Sequence, residues 1–432
     1  MQKGVVILII HTVVRGDTIY SIGRRYGVSM QKIIDDNQLD ASKSLVIGQT
    51  IVVITDEIMH TVSRGESLYS IARRYNTTVL AILDENPNIS NPSMIYVGQQ
   101  IIVPTNRNIL GMIDVNGYAY PNINMDTLRR TLPNLTYLSI FSYEVRPDGS
   151  LQPIPDAPLI ESAKAENTSP LMVITNIKEG GSFDSDLAHT ILTNEQVQEN
   201  LINNVVEVLG KGYTGVDVDF EYIYPEDREN YNDFLRKMVE RLRPLGYTVS
   251  TAVAPKTSGN QSGLLYEAHD YAAHGAIVDH VILMTYEWGY LYGPPMAVAP
   301  INQVERVVQY ATTVIPNDKI LLGIPNYGYD WTLPFVRGTA ARTISNTEAV
   351  NLARQVGANI QYDTQAQAPF FYYYDNLGRQ HVVWFEDARS IEAKLNLVDK
   401  YKLGGVSYWT IMNYFPQNWL VLNSMYEIKK FQ

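Results

Sequence analysis

Three features of the 432-residue sequence predict an α/β fold in which a large barrel follows two small modules. Residues 9–54 and 59–104 repeat one pattern of strand, helix, helix and strand. Over residues 109–432, short apolar runs alternate with amphipathic helical patterns, as a parallel (β/α)8 TIM barrel requires. The gap between the seventh and eighth runs is too long for one helix, which predicts a small α+β insertion at about residues 331–390.

The composition is that of a globular protein and narrows the choice of partners. Hydrophobic residues make up 45% of the chain and charged residues 18%, and no apolar run is long enough to predict a membrane span. The net charge is −11, and residues 1–104 hold nine basic and nine acidic residues, so the rest of the chain carries the whole excess. An acidic barrel repels a phosphate backbone, which disfavours nucleic acid as a partner and leaves neutral sugars open.

The absence of cysteine excludes disulfides, thiolate metal sites and cysteine nucleophiles, and it leaves the compartment open. The apolar stretch at residues 5–10 is only six residues long and precedes no small-residue cleavage site. We therefore expect a strand there, no signal peptide and no classical secretion.

An internal repeat organises the first 104 residues. The segment that begins at His11 recurs at His60, an offset of 49 residues. Each copy carries a Gly, acid, hydroxyl turn whose hydroxyl can cap the next helix; the turns are Gly16, Asp17, Thr18 and Gly65, Glu66, Ser67. A second helix is predicted over residues 30–36 and 79–85, and each unit closes with Gly-Gln and a short strand.

The two units resemble LysM modules in the Gly-Asp-Thr turn, in the Asn at positions 37 and 86, and in the closing Gly-Gln strand. The resemblance implies binding of N-acetylglucosamine polymers, chitin or peptidoglycan, by the turn residues above and the segment before Gly48 and its equivalent. The alternative is that these positions only turn the chain and cap helices. Two modules joined by the short link at residues 55–59 would raise avidity for a polymer. Residues 104–108 are the expected linker to the barrel.

Eight apolar runs are predicted as barrel strands: residues 110–115, 137–143, 171–176, 215–220, 248–254, 280–284, 320–325 and 405–409. Amphipathic helices are expected between them, for example over residues 194–209 and 227–242. In the insertion, residues 370–375 and 381–385 flank an Asn-Leu-Gly-Arg turn and predict a hairpin. Functional groups of such barrels lie at the carboxyl ends of the strands.

The fourth predicted strand carries three acids at alternate positions, Asp217, Asp219 and Glu221. With the strand period of two, they share one face, which we expect to line the barrel interior with Glu221 at the open end. Three buried carboxyls are costly unless they share protons or accept strong hydrogen bonds, so the arrangement indicates function. Like charges would keep Glu221 protonated as a general acid.

Two other interpretations of the acids are open. They could bind Mg²⁺ or Ca²⁺, although acids along one strand surround a cation poorly. Asp217 could also serve mainly as a hydrogen-bonded structural group. We expect catalysis, with no metal or cofactor.

The Gly and Asp-x-Asp-x-Glu run resembles the signature of glycoside hydrolase family 18, and further matches follow in order, Met284-Thr285-Tyr286 and Gly404-Gly405-Val406-Ser407-Tyr408-Trp409. The resemblance implies a substrate-assisted retaining mechanism, in which the 2-acetamido group of the sugar is the nucleophile. Glu221 would be the acid and base, and Asp219 would orient the acetamido nitrogen, with Asp217 behind it. Tyr286 would donate its hydroxyl toward the acetamido oxygen, Trp409 would form the floor under the sugar at the −1 subsite, and Met284 would be a further substrate-binding residue.

The chain departs from the family pattern at two positions. Thr214 stands where an Asp is often found, and Glu287, a predicted substrate contact, stands where an Asp is commoner. Asn176 and Asn326, at the ends of strands three and seven, are expected either to bind sugar hydroxyls or to form turns.

The full combination resembles the spore cortex-lytic N-acetylglucosaminidases of endospore-forming bacteria. That resemblance implies a product of the mother cell laid down at the spore coat, which acts on cortex peptidoglycan fragments during germination. A chitinase is the alternative, because both substrates contain N-acetylglucosamine. A non-catalytic glycan-binding barrel is a third alternative, which the intact Glu221 disfavours.

Overall fold

The computed structural model describes residues 7–55, 58–75, 77–104, 109–178 and 180–431. Three expectations fall partly outside these residues: the start of the first strand at residues 5–6, the link at 56–57 and the linker at 105–108. Among the helices that are described, none is long and apolar enough to cross a membrane.

The two N-terminal modules share one fold of a two-stranded antiparallel sheet and two helices. Thr18 and Ser67 each cap the first helix of their module by accepting a hydrogen bond from a backbone N–H three residues on. This confirms the predicted β-α-α-β order. The elements are β1 (Ile7–Thr12), α1 (Ile19–Tyr26), α2 (Met30–Asn37), β2 (Thr50–Thr55), β3 (Ile58–Thr61), α3 (Leu68–Arg74), α4 (Val79–Glu85) and β4 (Gln100–Val103).

Eight parallel strands form a closed barrel, because the last of them pairs with the first. In chain order, which is also the order around the barrel, they are β5 (Met112–Ala119), β6 (Tyr137–Glu144), β7 (Ser169–Thr175), β10 (Gly215–Asp219), β11 (Thr248–Val253), β12 (His280–Leu283), β13 (Ile320–Pro325) and β19 (Gly405–Trp409). The barrel prediction is confirmed. The first strand begins and ends later than the predicted residues 110–115, since its pairing with β6 starts only at Asn116 and extends to Ala119.

Helices cover the outside of the barrel, and two short strand pairs lie at its ends. The helices are α5 (Met125–Thr131), α6 (Ala157–Ala165), α7 (Ser185–Thr193), α8 (Glu195–Leu209), α9 (Arg228–Leu242), α10 (Tyr271–Ile277), α11 (Ile301–Ala311), α13 (Ala388–Tyr401) and α14 (Pro416–Met425). The short strands are β8 (Ile177–Lys178), paired with β9 (Ser182–Phe183), and β20 (Glu427–Ile428), paired with β5.

The insertion between β13 and β19 is an antiparallel sheet with one helix, as predicted. The hairpin at its centre pairs Tyr374 with Gln380 across the expected turn. The sheet starts at Gly328, a few residues before the predicted boundary. Its elements are β14 (Gly328–Leu333), β15 (Arg342–Ile344), α12 (Asn346–Val356), β16 (Gln361–Asp363), β17 (Ala368–Tyr374) and β18 (Gln380–Trp384).

Alternate residues of β10 face two different cores, one outside and one inside the barrel. Val216, Val218 and Phe220 belong to the large core between the strands and the outer helices. Asp217 and Asp219 alternate with them and are buried on the opposite side, toward the barrel interior. The interior layer has a separate small core, to which Tyr118, Phe141, Val173, Ala252, Ile282 and Leu321 contribute.

The first module packs directly on the barrel and its insertion. The side-chain amide of Gln417, on α14, donates to the Thr50 carbonyl at 2.7 Å and to Asn37 Oδ1 at 3.2 Å. Arg354 Nε, on α12, donates to the Ser44 carbonyl at 2.7 Å. Val46 joins the apolar core of the insertion.

Candidate active site

A cleft of about 570 Å³ opens at the carboxyl end of the barrel strands. It contains Asp219, Glu221, Met284, Tyr286, Glu287 and Trp409 of the predicted site, and its walls are largely aromatic. The further aromatic residues that line it are Tyr118, Tyr120, Phe141, Phe183, Tyr222, Tyr266 and Tyr290.

Asp217 lies beneath the cleft and is wholly buried. Its carboxylate accepts hydrogen bonds from the hydroxyl of Tyr118 at 2.6 Å, which comes from β5 across the interior, and from that of Ser250 at 2.7 Å, on the adjacent strand β11. Burial raises the pKa of Asp217, and the two donors act against that rise. The arrangement fits a fixed group behind Asp219, consistent with a partly structural role.

Asp219 is buried at the last residue of β10. Its Oδ1 has no hydrogen-bond partner among the described residues, although it is shielded from solvent. Burial and the nearby charges of Glu221 and Asp217 raise the pKa of Asp219 well above its ordinary value. A buried acceptor without a donor is costly, so a ligand that supplies an N–H or O–H to this oxygen would gain by doing so.

Glu221 is partly buried, two residues further along the chain. Burial and the charge of Glu287 raise the pKa of its carboxyl to about 7. A carboxylic acid with that pKa holds its proton near neutral pH and can deliver it to a leaving group.

Glu287 has left-handed backbone with φ of 67°. Its carboxylate accepts hydrogen bonds from the hydroxyls of Tyr327 and Tyr329. Burial raises the pKa of Glu287, and these two hydroxyls act against the rise. The longer Glu side chain is therefore held in place from the insertion side of the cleft.

Trp409, at the end of β19, is packed edge to face by three aromatic rings. The ring centroids of Phe141, Tyr118 and Tyr120 lie 4.9, 5.4 and 6.1 Å from that of Trp409. This packing fixes the indole in the lining of the cleft, and the face of an indole suits the apolar face of a sugar ring. Met284 contacts the same interior core.

Asn176 and Asn326 follow the second of their two expected roles, because both are buried and their amides are engaged by the protein backbone. Asn176 Nδ2 donates to the carbonyls of Asp184 at 3.0 Å and Glu221 at 2.8 Å. Asn326 Nδ2 donates to the carbonyls of Thr410 at 2.9 Å and Asn413 at 2.8 Å. Neither amide retains a hydrogen for a sugar hydroxyl, so both residues hold loops.

In the two modules, the predicted glycan-binding turns make structural contacts. Asp17 Oδ2 accepts from His11 Nε2 at 2.9 Å and from the Val14 N–H at 2.9 Å. Glu66 repeats this arrangement with His60 and the Ser63 N–H. Thr18 and Ser67 are the helix caps, and Gly16 and Gly65 have positive φ at the exposed tips. The turn and cap interpretation therefore accounts for these side chains.

Several residues around the acids were not singled out from the sequence. Ser250 pairs with Asp217 in the β10–β11 register, a relation that appears only when the strands are aligned. Tyr327 and Tyr329 flank the start of the insertion, and their link to Glu287 crosses about 40 residues. Within the described part of the chain, no group of three or more His, Asp or Glu residues is arranged to hold a metal ion.

The comparison with known families agrees with the fold and the cleft. Residues 119–413 match Glycosyl hydrolases family 18, and residues 11–53 and 60–104 match the LysM domain. The chain therefore belongs to glycosyl hydrolase family 18 and is a glycoside hydrolase.

Relatives match the chain over nearly its whole length. The chain is 46% identical over 430 residues to the cortical fragment-lytic enzyme of Bacillus subtilis (strain 168), covering 98% of this chain and 99% of the relative. The crystal structure of the Bacillus cereus spore cortex-lytic enzyme SleL matches with a TM-score of 0.86 and 43% identity, over 98% of this chain and 99% of that chain. The Bacillus megaterium QM B1551 SleL structure matches with a TM-score of 0.90 and 39% identity, over 100% of both chains.

Proposed function

We propose that this protein is a retaining N-acetylglucosaminidase that hydrolyses peptidoglycan, namely cortex fragments of an endospore-forming bacterium during germination. The observation that carries the proposal is the pair of acids in the cleft: Glu221, with its pKa raised to about 7, and Asp219, with a buried oxygen that has no donor. The relatives are named as enzymes of the spore cortex or its fragments, which supports the same substrate and the same location at the spore.

In the proposed mechanism, the sugar supplies its own nucleophile. Glu221 donates its proton to the glycosidic oxygen while the 2-acetamido carbonyl oxygen attacks the anomeric carbon. The acetamido N–H donates to Asp219, which orients the group and offsets the charge that develops on it. Water then opens the cyclic intermediate, with Glu221 accepting the proton, and the anomeric configuration is retained.

The other cleft residues have roles that follow from their positions. Tyr286 lines the cleft with its hydroxyl available to the acetamido oxygen, and Trp409 forms the floor under the sugar. Asp217, held by Tyr118 and Ser250, fixes the electrostatic surroundings of Asp219. Glu287 and Met284 complete the wall around the bound sugar.

The two modules are proposed to bind the same polymer and retain the enzyme on it, the first through its turn at Gly16, because the insertion contacts the segment before Gly48. The backbone of the exposed turns around Gly16 and Gly65 is open to a glycan chain, while the neighbouring side chains keep the turns in shape. Binding by both modules to one polymer raises the effective concentration of the catalytic domain at its substrate.

The substrate assignment is tested by product analysis. Purified cortex fragments are digested, reduced with borohydride, hydrolysed and analysed for amino-sugar alcohols. A glucosaminidase leaves N-acetylglucosamine at the new reducing ends, so glucosaminitol should form. Muramitol as the only product would overturn the proposal, and faster cleavage of soluble chitin oligomers than of cortex fragments would favour a chitinase.

The assignment of Glu221 as the proton donor is tested with Glu221→Gln. Glu221→Gln keeps the shape of the side chain but removes the acid, so kcat should fall about 100- to 10,000-fold. Because Glu221 must be protonated to act as the acid, the wild-type rate should fall as the pH rises through about 7. Unchanged hydrolysis by Glu221→Gln would exclude Glu221 as the proton donor.

A further inference from the structure

The backbone around Glu221 lies beyond the last strand pairing of β10. The ladder with β7 ends where Asp219 pairs with Thr175, and the ladder with β11 ends one residue earlier. Tyr222, directly after Glu221, has a left-handed backbone with φ of 55°. Strand pairing therefore does not fix the peptide groups on either side of the proposed acid.

Asn176 holds the two main-chain groups of Glu221 itself. Its Oδ1 accepts from the Glu221 N–H at 2.9 Å, and its Nδ2 donates to the Glu221 carbonyl at 2.8 Å. The second hydrogen of Nδ2 goes to the Asp184 carbonyl at 3.0 Å, which ties the contact to the start of α7. Asn176 is completely buried, so water does not compete for these bonds.

His269 holds the preceding carbonyl. Its Nδ1 accepts from the Ala254 N–H at 2.8 Å, so the ring proton must be on Nε2, which donates to the Phe220 carbonyl at 2.9 Å. Burial lowers the pKa of His269 to about 4, which keeps the ring in this neutral form. The His269 carbonyl in turn accepts from the buried ammonium of Lys256 at 2.9 Å.

We propose that Asn176 and His269 are positioning residues that clamp the backbone on both sides of Glu221 and aim its carboxyl at the glycosidic oxygen. This inference rests on the proposed role of Glu221 as the acid. The clamp replaces the strand pairing that is missing at this point, with one side chain from the end of β7 and one from the loop after β11. Neither residue lines the cleft, so neither touches the sugar.

The proposal is tested by comparing substrates whose leaving groups differ in their need for a proton. A glycan with a sugar leaving group needs the acid, whereas the 2,4-dinitrophenyl glycoside of an N-acetylglucosamine oligomer does not. Azide, an anionic nucleophile, removes the need for a base in the second step. Asn176→Asp retains the acceptor for the Glu221 N–H but loses both donors.

For Asn176→Asp, kcat on the glycan should fall about 100-fold, because a displacement of the Glu221 carboxyl by about 1 Å can cause a loss of that size. KM should stay within about twofold of the wild-type value. On the dinitrophenyl substrate with azide, the rate should stay within about threefold. Asn326→Asp is the matched control, because it removes the same kind of donors from carbonyls that are not next to Glu221. Its effect should be equal on both substrates.

The histidine is tested by a pair of substitutions. In His269→Gln the amide nitrogen can reach the position of Nε2 and donate to the Phe220 carbonyl, whereas the shorter His269→Asn loses that donor. The glutamine variant should therefore recover most of the glycan rate that the asparagine variant loses.

Glu221→Gln in the same assays separates the two proposals. If it shows the leaving-group dependence and Asn176→Asp does not, the clamp is wrong while the acid assignment stands. If Glu221→Gln cleaves the glycan at the wild-type rate, the proposed function fails first. Equal losses on both substrates for Asn176→Asp would mean a purely structural role and would overturn the clamp.

Discussion

The two LysM domains have nearly the same local structure but different surroundings. Each has a His that bonds a Tyr hydroxyl and an acid, His11 and His60, and each has a hydroxyl capping box on its first helix. The two domains differ in the solvent exposure of the segment that closes each domain. Val46 is 5% exposed in the first domain, whereas Tyr96, its counterpart in the second, is 63% exposed.

This difference arises from the barrel and not from the domains. Ile360 donates its N–H to the Ile47 carbonyl at 2.9 Å, Arg389 contacts the Gly48 carbonyl at 3.3 Å, and Gln417 bonds Thr50. A repeated motif therefore determines the shape of a domain, while residues far away in the chain decide whether that domain is a fixed part of the catalytic unit.

The largest difference is expected between Gly48→Ala and Gly98→Ala. Both glycines have φ of 86°, so both variants carry the same backbone cost of about 1 kcal/mol. A Cβ at Gly48 would lie 1.8 Å from the Ile360 carbonyl oxygen, whereas one at Gly98 meets nothing within 4 Å. We expect Gly48→Ala to lower the free energy of unfolding by about 2 to 3 kcal/mol more, measured by urea denaturation. Equal losses would mean that the first domain does not dock.

A smaller difference is expected between Val46→Ala and Tyr96→Ala. Val46 packs in a core with Ile344 and Phe371, so its truncation should cost about 2 kcal/mol. Tyr96 is exposed, and its truncation should change the free energy of unfolding by less than about 0.5 kcal/mol. Thermal unfolding of both variants beside the wild type measures this, and a larger loss for Tyr96→Ala would contradict it.

The next pair isolates one hydrogen bond. Thr50 Oγ1 donates to Gln417 Oε1 at 2.7 Å, and both residues are buried. Thr50→Val keeps the shape and removes the donor, so it should cost about 1 kcal/mol. The equivalent Gln100 is exposed, and Gln100→Val should be nearly neutral. If Thr50→Val matches Gln100→Val in urea denaturation, the bond adds nothing to docking.

The smallest difference between the two domains is expected in their loss of stability at acid pH, because the His–acid pair is common to both. Burial raises the pKa of Asp17 and Glu66, but the backbone N–H groups and the His side chains outweigh it, so both pKa values lie below their ordinary range. An acid with a lowered pKa stabilises the fold above its unfolded pKa and loses that contribution as the pH falls through the folded pKa.

Stability of both domains should therefore fall below about pH 4, and Asp17→Asn and Glu66→Gln should each reduce that dependence to a similar extent. Unfolding followed by circular dichroism between neutral and acid pH measures it. A pH dependence that only one of the two substitutions removes would show that the pairs are not equivalent.

Much of the fold could be predicted because its signals are local. Predicted and observed bounds coincide for the strands at residues 320–325 and 405–409, where an apolar run starts and stops sharply. The alternation of β10 placed Val218 outward and Asp217 inward correctly. The first barrel strand was misplaced because Asn116 and Gly117 interrupt its apolar pattern, although both pair with β6.

The cleft residues that belong to short sequence motifs were predictable, namely Asp219, Glu221, Met284, Tyr286, Glu287 and Trp409. The acids of β10 stand two residues apart, so the strand period alone brought them to one face. Asn176 carries no sequence signal that separates a sugar contact from a backbone contact, because an amide suits both. Its role is set by the fold, which brings the end of β7 beside Glu221.

The sequence by itself determined the two β-α-α-β domains, the barrel and the acidic strand, because periodicity, caps and turns act over a few residues. Only the tertiary structure decided that the closing segment of the first LysM domain is docked and that of the second exposed, that Tyr118 and Ser250 hold Asp217, and that Asn176 holds Glu221. These contacts join residues 33 to more than 300 positions apart, as in Thr50 and Gln417, so their partners are set by strand register and helix packing and not by neighbouring sequence.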